Sequence, residues 1–194
     1  MLEFLTRKKR TRDDAVMVTK PPLTDEVISA ASSRKQMVDT FVKKNTFHGK
    51  SIMQYSIKCL SQLAKEKEIS QGAFFISDKK DGKPVIKFLS AFASPDPENM
   101  EDILELGEGF PGQVAKDGNL INISDIPDGY LTIESGLGKA APASLIVFPV
   151  KHGDKVLAVI ELASFHKFTE DDELFFSELS PYIAEQILKC TAKS

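Results

Sequence analysis

The chain has 194 residues, 42% hydrophobic and 27% charged, which is apolar material for one ordinary core and not for two. A formal net charge of -3 gives no electrostatic footprint for nucleic acid over the body of the chain, and no apolar run approaches the roughly 20 residues of a membrane span. Without the apolar stretch and cleavage site of a secretory leader, the chain reads as cytoplasmic; Cys59 and Cys190, far apart and outside any C-x-x-C, read as reduced structural thiols.

Residues 1–22 are polar and basic and end in Pro21-Pro22, a flexible basic leader. Its run "RKKRTR" reads as solvated, with contact to anionic lipid or nucleic acid as the alternative. Residues 23–47 form an N-terminal helical extension: Thr24 is a good N-cap, Asp25 and Glu26 follow, and Val27, Ala31, Val38 and Phe41 recur on a stripe interrupted by Arg34. The main domain is expected over 48–191. Its first helix, about 50–67, carries Met53, Ile57, Leu60 and Ala64 on one face, with Ile52, Cys59 and Leu63 widening it toward a second neighbour. "QGAFFISD" reads as a strand with Phe74 and Ile76 on one side and Ala73 and Phe75 on the other. Asp81-Gly82 is a hairpin signal, and "PVIKFLSAFA" returns as far as the breaker Pro95-Asp96-Pro97.

"GEGFPG" (107–112) opens a short helix. It follows only the short "DILEL", and its helix ends at Asp117-Gly118, so it lacks the long strand and long helix of a dinucleotide site. No Gly-Lys-Ser/Thr follows for a P-loop. Gly107 and Gly109 permit backbone conformations that a side chain forbids, and Pro111 suits a first helical turn. "ASLIVFPVK" and "KVLAVIELAS" are apolar strands joined by "HGD". The last helix, Asp171 to Cys190, places Phe176, Leu179, Ile183 and Ile187 on one face, with Pro181 expected to kink or break it. The order argues for an α+β domain with a largely antiparallel sheet and helices on one face.

Glu161 is the most informative residue. Val156, Ala158, Ile160 and Leu162 share a face suited to packing under helices, which turns Glu161 the other way, between Val159 and Ala163. A carboxylate there requires a partner: water, a lysine or a ligand donor. His48, His152 and His166 accompany no nucleophile motif, and no histidine or cysteine pair has chelating spacing, so neither an enzyme nor a metal site is expected.

The segment "GEGFPGQVAKDGNLINISDIP", followed by "LIVFPVKHGDKVLAVIELASFHKFTEDDE", resembles a GAF domain over about Lys50 to Cys190. The resemblance implies a six-stranded antiparallel sheet with the N- and C-terminal helices on one face. On the other face it implies a short helix and loops enclosing a small-molecule pocket. Geometry and resemblance together nominate Phe92, Phe110, Pro111 and Tyr130 as its walls, the loop from Asp125 to Pro142 as its lid, and Asp125 and Glu161 among its ligand contacts. "HKFTEDDE" is similar to a signature of cyclic-nucleotide-binding members: Lys167, Phe168, Asp172 and Glu173 match, and His166 stands where asparagine is expected. Lysine paired with an acidic opener of the last helix reads mainly as structural support. In cyclic-nucleotide members an acidic residue at the place of Glu161 reads the base, but "LGKAAP" replaces the acidic and threonine residues those members use in the lid, which argues against a cyclic nucleotide.

The expected function is therefore small-molecule sensing in signal transduction, relayed to a signalling partner through the terminal helices. Helices 50–67 and 171–190 carry more apolar positions than one sheet face covers, so a homodimer through them is expected. The alternative is an interaction module that dimerises and binds no small molecule. A methionine sulfoxide reductase, also known among GAF proteins, fits less well because Cys59 and Cys190 fall in packing helices rather than pocket loops.

Overall fold

The computed structural model describes residues 24–46, 51–94, 101–135 and 138–192. Helix α1 (Asp25–Asn45) begins where the Thr24 hydroxyl accepts the Val27 amide, with Asp25 and Glu26 complementing the helix dipole. Only its C-terminal part buries apolar side chains, Val38 and Phe41. Val27 and Ile28 stay exposed. Arg34, which interrupts the stripe, reaches instead to Asp171 and Glu178 of the last helix, the latter at 2.9 Å. Helix α2 (Ile52–Lys67) is capped by Ser51 and ends at Glu68 in the left-handed region.

Strands β1 (Gln71–Lys80) and β2 (Lys83–Phe92) form the first hairpin; β3 (Ile103–Glu105), α3 (Gly109–Asp117), β4 (Ile121–Ile123), β5 (Ile133–Ser135), β6 (Gly138–Ala140), β7 (Ser144–His152), β8 (Lys155–Ser164) and α4 (Glu170–Thr191) follow. Six strands make one antiparallel sheet in the order β3-β2-β1-β8-β7-β4, and β5 pairs only with β6. Two apolar layers result. Tyr55, Cys59, Leu60, Phe74, Phe148, Ile160, Phe175 and Phe176 lie between the sheet and α1, α2 and α4. Ala73, Phe75, Ile86, Val114, Val147 and Val159 lie on the opposite face under α3 and the segment carrying Ile126, Leu131 and Ile133.

Helix α2 presents a different face from the one the sequence suggested. In α2 the buried face is Tyr55, Ser56, Cys59, Leu60 and Leu63, so Met53 and Ile57 project outward, 43% and 48% exposed. A polar relay lies within that buried face: Ser90 of β2 donates to Ser56 at 2.7 Å, and Ser56 donates to the Met53 carbonyl at 2.8 Å. Helix α4 runs through Pro181 without ending. The preceding Ser180 docks on β7, donating to the Pro149 carbonyl and accepting the Lys151 amide, both at 2.8 Å. That amide lies where β7 and β8 slip register between Val150 and Lys151. The extra residue, Leu157, also carries Val156 to the face opposite the helices, whereas simple alternation put it with Ala158.

Candidate functional site

The sheet face opposite α1, α2 and α4 is built from cross-strand partners. Gln71, Ala73 and Phe75 of β1 stand opposite Ala163, Glu161 and Val159 of β8, and Val147 of β7 stands opposite Glu161 on its other side. Side chains so paired share a face, and the small ones leave room above it. The roof is α3 with the loop after β4. Gly112 makes the approach of α3 possible: a Cβ there would meet the Glu105 carbonyl at 2.4 Å, and the Gly112 carbonyl accepts the Gly107 amide at 2.7 Å. Gly107, at φ 97, turns the chain in the left-handed region. The crowded glycines therefore seat a short helix against the sheet edge and cradle no phosphate.

A turn in which the Tyr130 amide donates to Pro127 O brings Tyr130 over the sheet. Its hydroxyl donates to Glu161 Oε1 at 2.7 Å, and its ring lies against Phe110 with centroids 4.8 Å apart. Beside this pair is a cavity of about 450 Å³, lined by Gln71, Phe75, Leu104, Pro111, Leu131 and Glu161 among others. Glu101 and Glu108 also line it, and no lysine, arginine or histidine does among the described residues. Glu108 is fixed by accepting the Glu105 amide at 2.8 Å. Burial pushes the Glu161 carboxyl up to about 7, against the opposing effect of the Tyr130 hydrogen bond. Burial and the neighbouring Glu161 push the Tyr130 phenol well above its ordinary range.

Of the six nominated contacts, Glu161, Tyr130 and Pro111 meet at the cavity. Phe110 packs behind Tyr130 into the layer under α3. Asp125 is exposed on the loop after β4, away from the lining. Phe92 is a correction: it packs into the core under the helices. The reason is a bulge at Leu89, since Phe74 pairs with Ser90 but Phe75 pairs with Phe88. Alternation carries Ile86 and Phe88 to the cavity face, and the extra residue then turns Ser90 and Phe92 to the helix face. Gln71, Glu101 and Glu108 were missed. For Gln71 the signal was present, because it has the parity of Ala73 and Phe75.

The closing signature also differs from expectation. Asp172 pairs with Lys67 of α2 at 2.7 Å, not with Lys167, which is exposed. Asp172 also accepts the Thr169 amide in a capping box. Phe168 sits edge-on against Phe176, and Glu173 accepts from Asn122 of β4 at 2.8 Å. These three residues tie α4 to α2 and to the sheet edge.

The sequence profile of the GAF domain matches residues 58–187. The chain belongs to the GAF domain family. Solved structures agree on the fold. The GAF domain of a phosphoenolpyruvate-protein phosphotransferase from Coxiella burnetii is 18% identical, with a TM-score of 0.67, covering 84% of this chain and 97% of that one. The corresponding domain from Acinetobacter is 16% identical, TM-score 0.65, covering 82% and 96%. Free methionine-R-sulfoxide reductase from Neisseria meningitidis, in complex with its substrate, is 14% identical, TM-score 0.61, covering 88% and 95%. No curated protein sequence matches the chain. The GAF fold supports a sensor or regulatory module in general. No helix among the described residues is long and apolar enough to cross a membrane.

Proposed function

We propose that this GAF domain senses a small molecule in the cavity beneath Tyr130 and relays its presence through the helix layer to a signalling partner. The observation that carries this reading is a cavity of about 450 Å³ in which Glu161, between Val159 and Ala163 within the otherwise apolar run 156–163 of β8, keeps a carboxyl partly out of water with one protein donor among the described residues. That volume suits a small organic ligand. The helix layer carries a matching output surface. Met53 and Ile57 of α2 and Leu174, Tyr182 and Leu188 of α4 are exposed apolar side chains, which favours a homodimer through α2 and α4. A domain that dimerises without a ligand is the second reading, favoured by the contact Tyr130 already makes with Glu161.

Reductase activity is not proposed. Both thiols lie in the core under the helices, across the sheet from the cavity, and burial pushes the Cys59 thiol up to about 12, far from the thiolate that such chemistry uses.

A thermal-shift screen of nucleobases, cyclic nucleotides, amino acids and small aromatic amines and acids tests the sensor reading. A ligand at about 100 times its dissociation constant stabilises the fold by about 2.7 kcal/mol, a shift of several degrees for a domain of this size. Glu161→Ala abolishes the shift. A screen without hits, or hits indifferent to that substitution, favours the ligand-free interaction module.

A further inference from the structure

Three features of the cavity point to one kind of occupant. Its charged lining is Glu101, Glu108 and Glu161, with no basic side chain among the described residues to balance them. Gln71, 7% exposed, lines both the cavity and a void of about 20 Å³ bounded also by Glu161, and its Oε1 has no hydrogen-bond partner among the described residues. Tyr130 donates to Glu161 Oε1, and among the described residues no hydrogen bond reaches Oε2, which can accept a further donor. The site therefore presents acceptors in want of N–H groups, in a cavity also lined by the aromatic residues Phe75 and Tyr130.

We propose, building on the sensor reading above, that the cavity takes a small organic cation carrying an amidinium, guanidinium or substituted ammonium group, whose N–H donors meet Glu161 and Gln71, and that it rejects anions. A phosphate or carboxylate ligand would face Glu161 in a partly desolvated space, where like charges repel more strongly than in water, and would pass the exposed carboxylates of Glu101 and Glu108. A planar cation gains on every count: charge-assisted hydrogen bonds, relief of the unpaired Gln71 oxygen and aromatic faces for a delocalised charge. A bare metal ion fits poorly, since no group of three acidic, histidine or cysteine side chains among the described residues converges to hold one.

Binding is then linked to protons. The groups facing Glu161 are Tyr130 from the loop, the uncharged Gln71 and Ala73 from β1 and Val147 from β7, with Glu101 and Glu108 across the cavity. A cation binds the ionised carboxylate, so affinity rises as pH passes upward through about 7, where the Glu161 carboxyl titrates.

The test uses the full chain with benzamidinium, its neutral relative benzamide and its anionic relative benzoate, each titrated at millimolar concentration while backbone amide resonances are followed. The expected result is that benzamidinium shifts the amides of Gln71, Gly109, Tyr130 and Leu131 and binds at least about tenfold more tightly than benzamide, with benzoate inert. Glu161→Gln, which keeps an acceptor for Tyr130, should cost about tenfold or more and flatten the rise in affinity between pH 6 and pH 8. Gln71→Leu should weaken benzamidinium while leaving the urea midpoint of the free protein unchanged or raised. If benzamide or benzoate binds as well as benzamidinium, or Glu161→Gln leaves affinity and pH profile unchanged, the cation assignment is wrong and the cavity reading stands. Competitive displacement of benzamidinium by calcium overturns it in favour of a metal. If none of the three probes moves these amides, the cavity reading falls with it.

Discussion

The unusual proton affinity of Glu161 has a consequence for stability that one isosteric substitution isolates. In the folded chain burial raises the carboxyl from 4.5 to about 7. Because the folded value lies above the unfolded one, the associated stability is fully present below pH 4.5 and is lost as pH rises through about 7. At about 1.4 kcal/mol for each pH unit of displacement, the loss has a ceiling of about 3 kcal/mol. Glu161→Gln keeps the oxygen that accepts from Tyr130 and cannot ionise, so it mimics the protonated state at every pH. The free energy of urea unfolding, measured for both proteins at pH 5 and pH 8.5, should show similar stabilities at the lower pH and a variant more stable by up to about 3 kcal/mol at the higher. Subtracting the two proteins cancels every other titrating group. A difference that stays flat between the two pH values, or that favours the parent at pH 8.5, means that Glu161 is hydrated like a surface carboxylate and refutes the reasoning.

Asp172 behaves in the opposite sense. Burial pushes it up, but Lys67 and the Thr169 amide and hydroxyl more than offset this and hold it below the ordinary carboxylate range. Lys67→Met should thus cost about 1 to 2 kcal/mol at pH 7, discounted for solvent at the edge of the pair, and progressively less as pH falls through the folded value of Asp172; a cost that stays the same down to the lowest pH at which both proteins remain folded contradicts the pairing. Sedimentation at about tens of micromolar should find a dimer, a concentration at which stable interfaces persist, and Leu174→Glu combined with Leu188→Glu should give monomer; a monomeric parent disposes of the helix-layer dimer. Serine at both Cys59 and Cys190 should leave the fold and ligand-induced thermal shifts intact at a cost of about 1 to 3 kcal/mol per site, and Ellman's reagent should find neither thiol until the native protein unfolds. Rapid labelling of native protein would show that the helix core opens readily.

The parts of the fold legible in the sequence are those governed by short-range periodicity. Strand alternation put Glu161 on the face away from the helices, and the structure finds it there with a phenol as its partner. Gly107 and Gly109 read as backbone devices, and both take positive φ, 97° and 59°, whereas the close approach of Gly112 to Glu105 O had no local signal. Failures came where the answer depends on distant pairing. "KFLSAFA" is apolar in both phases, so nothing local announces the bulge at Leu89 that turns Phe92 away from the cavity. Lys167 and Lys67 are equally good partners for Asp172 on paper, and the packing of α2 against α4 chooses Lys67. Met53 and Ile57 matched the helical period but lost the buried face to Tyr55 and Ser56, because a satisfied serine pair can face a sheet as well as an apolar stripe can.

The bulge at Leu89 makes the cavity a matter of counting. Past it, Ala91 stands opposite Ala73 on the cavity face, while the larger Phe92 goes to the helices. Remove one residue from the strand and the frame reverses: phenylalanine would turn toward the open space and alanine toward the core, with no side chain exchanged for another. Alignments that score substitutions column by column would read such a chain as nearly unchanged, although its binding face had been rewritten. For anyone grafting a new specificity onto this sheet, the length of β2 is therefore a setting to fix before any residue type is chosen.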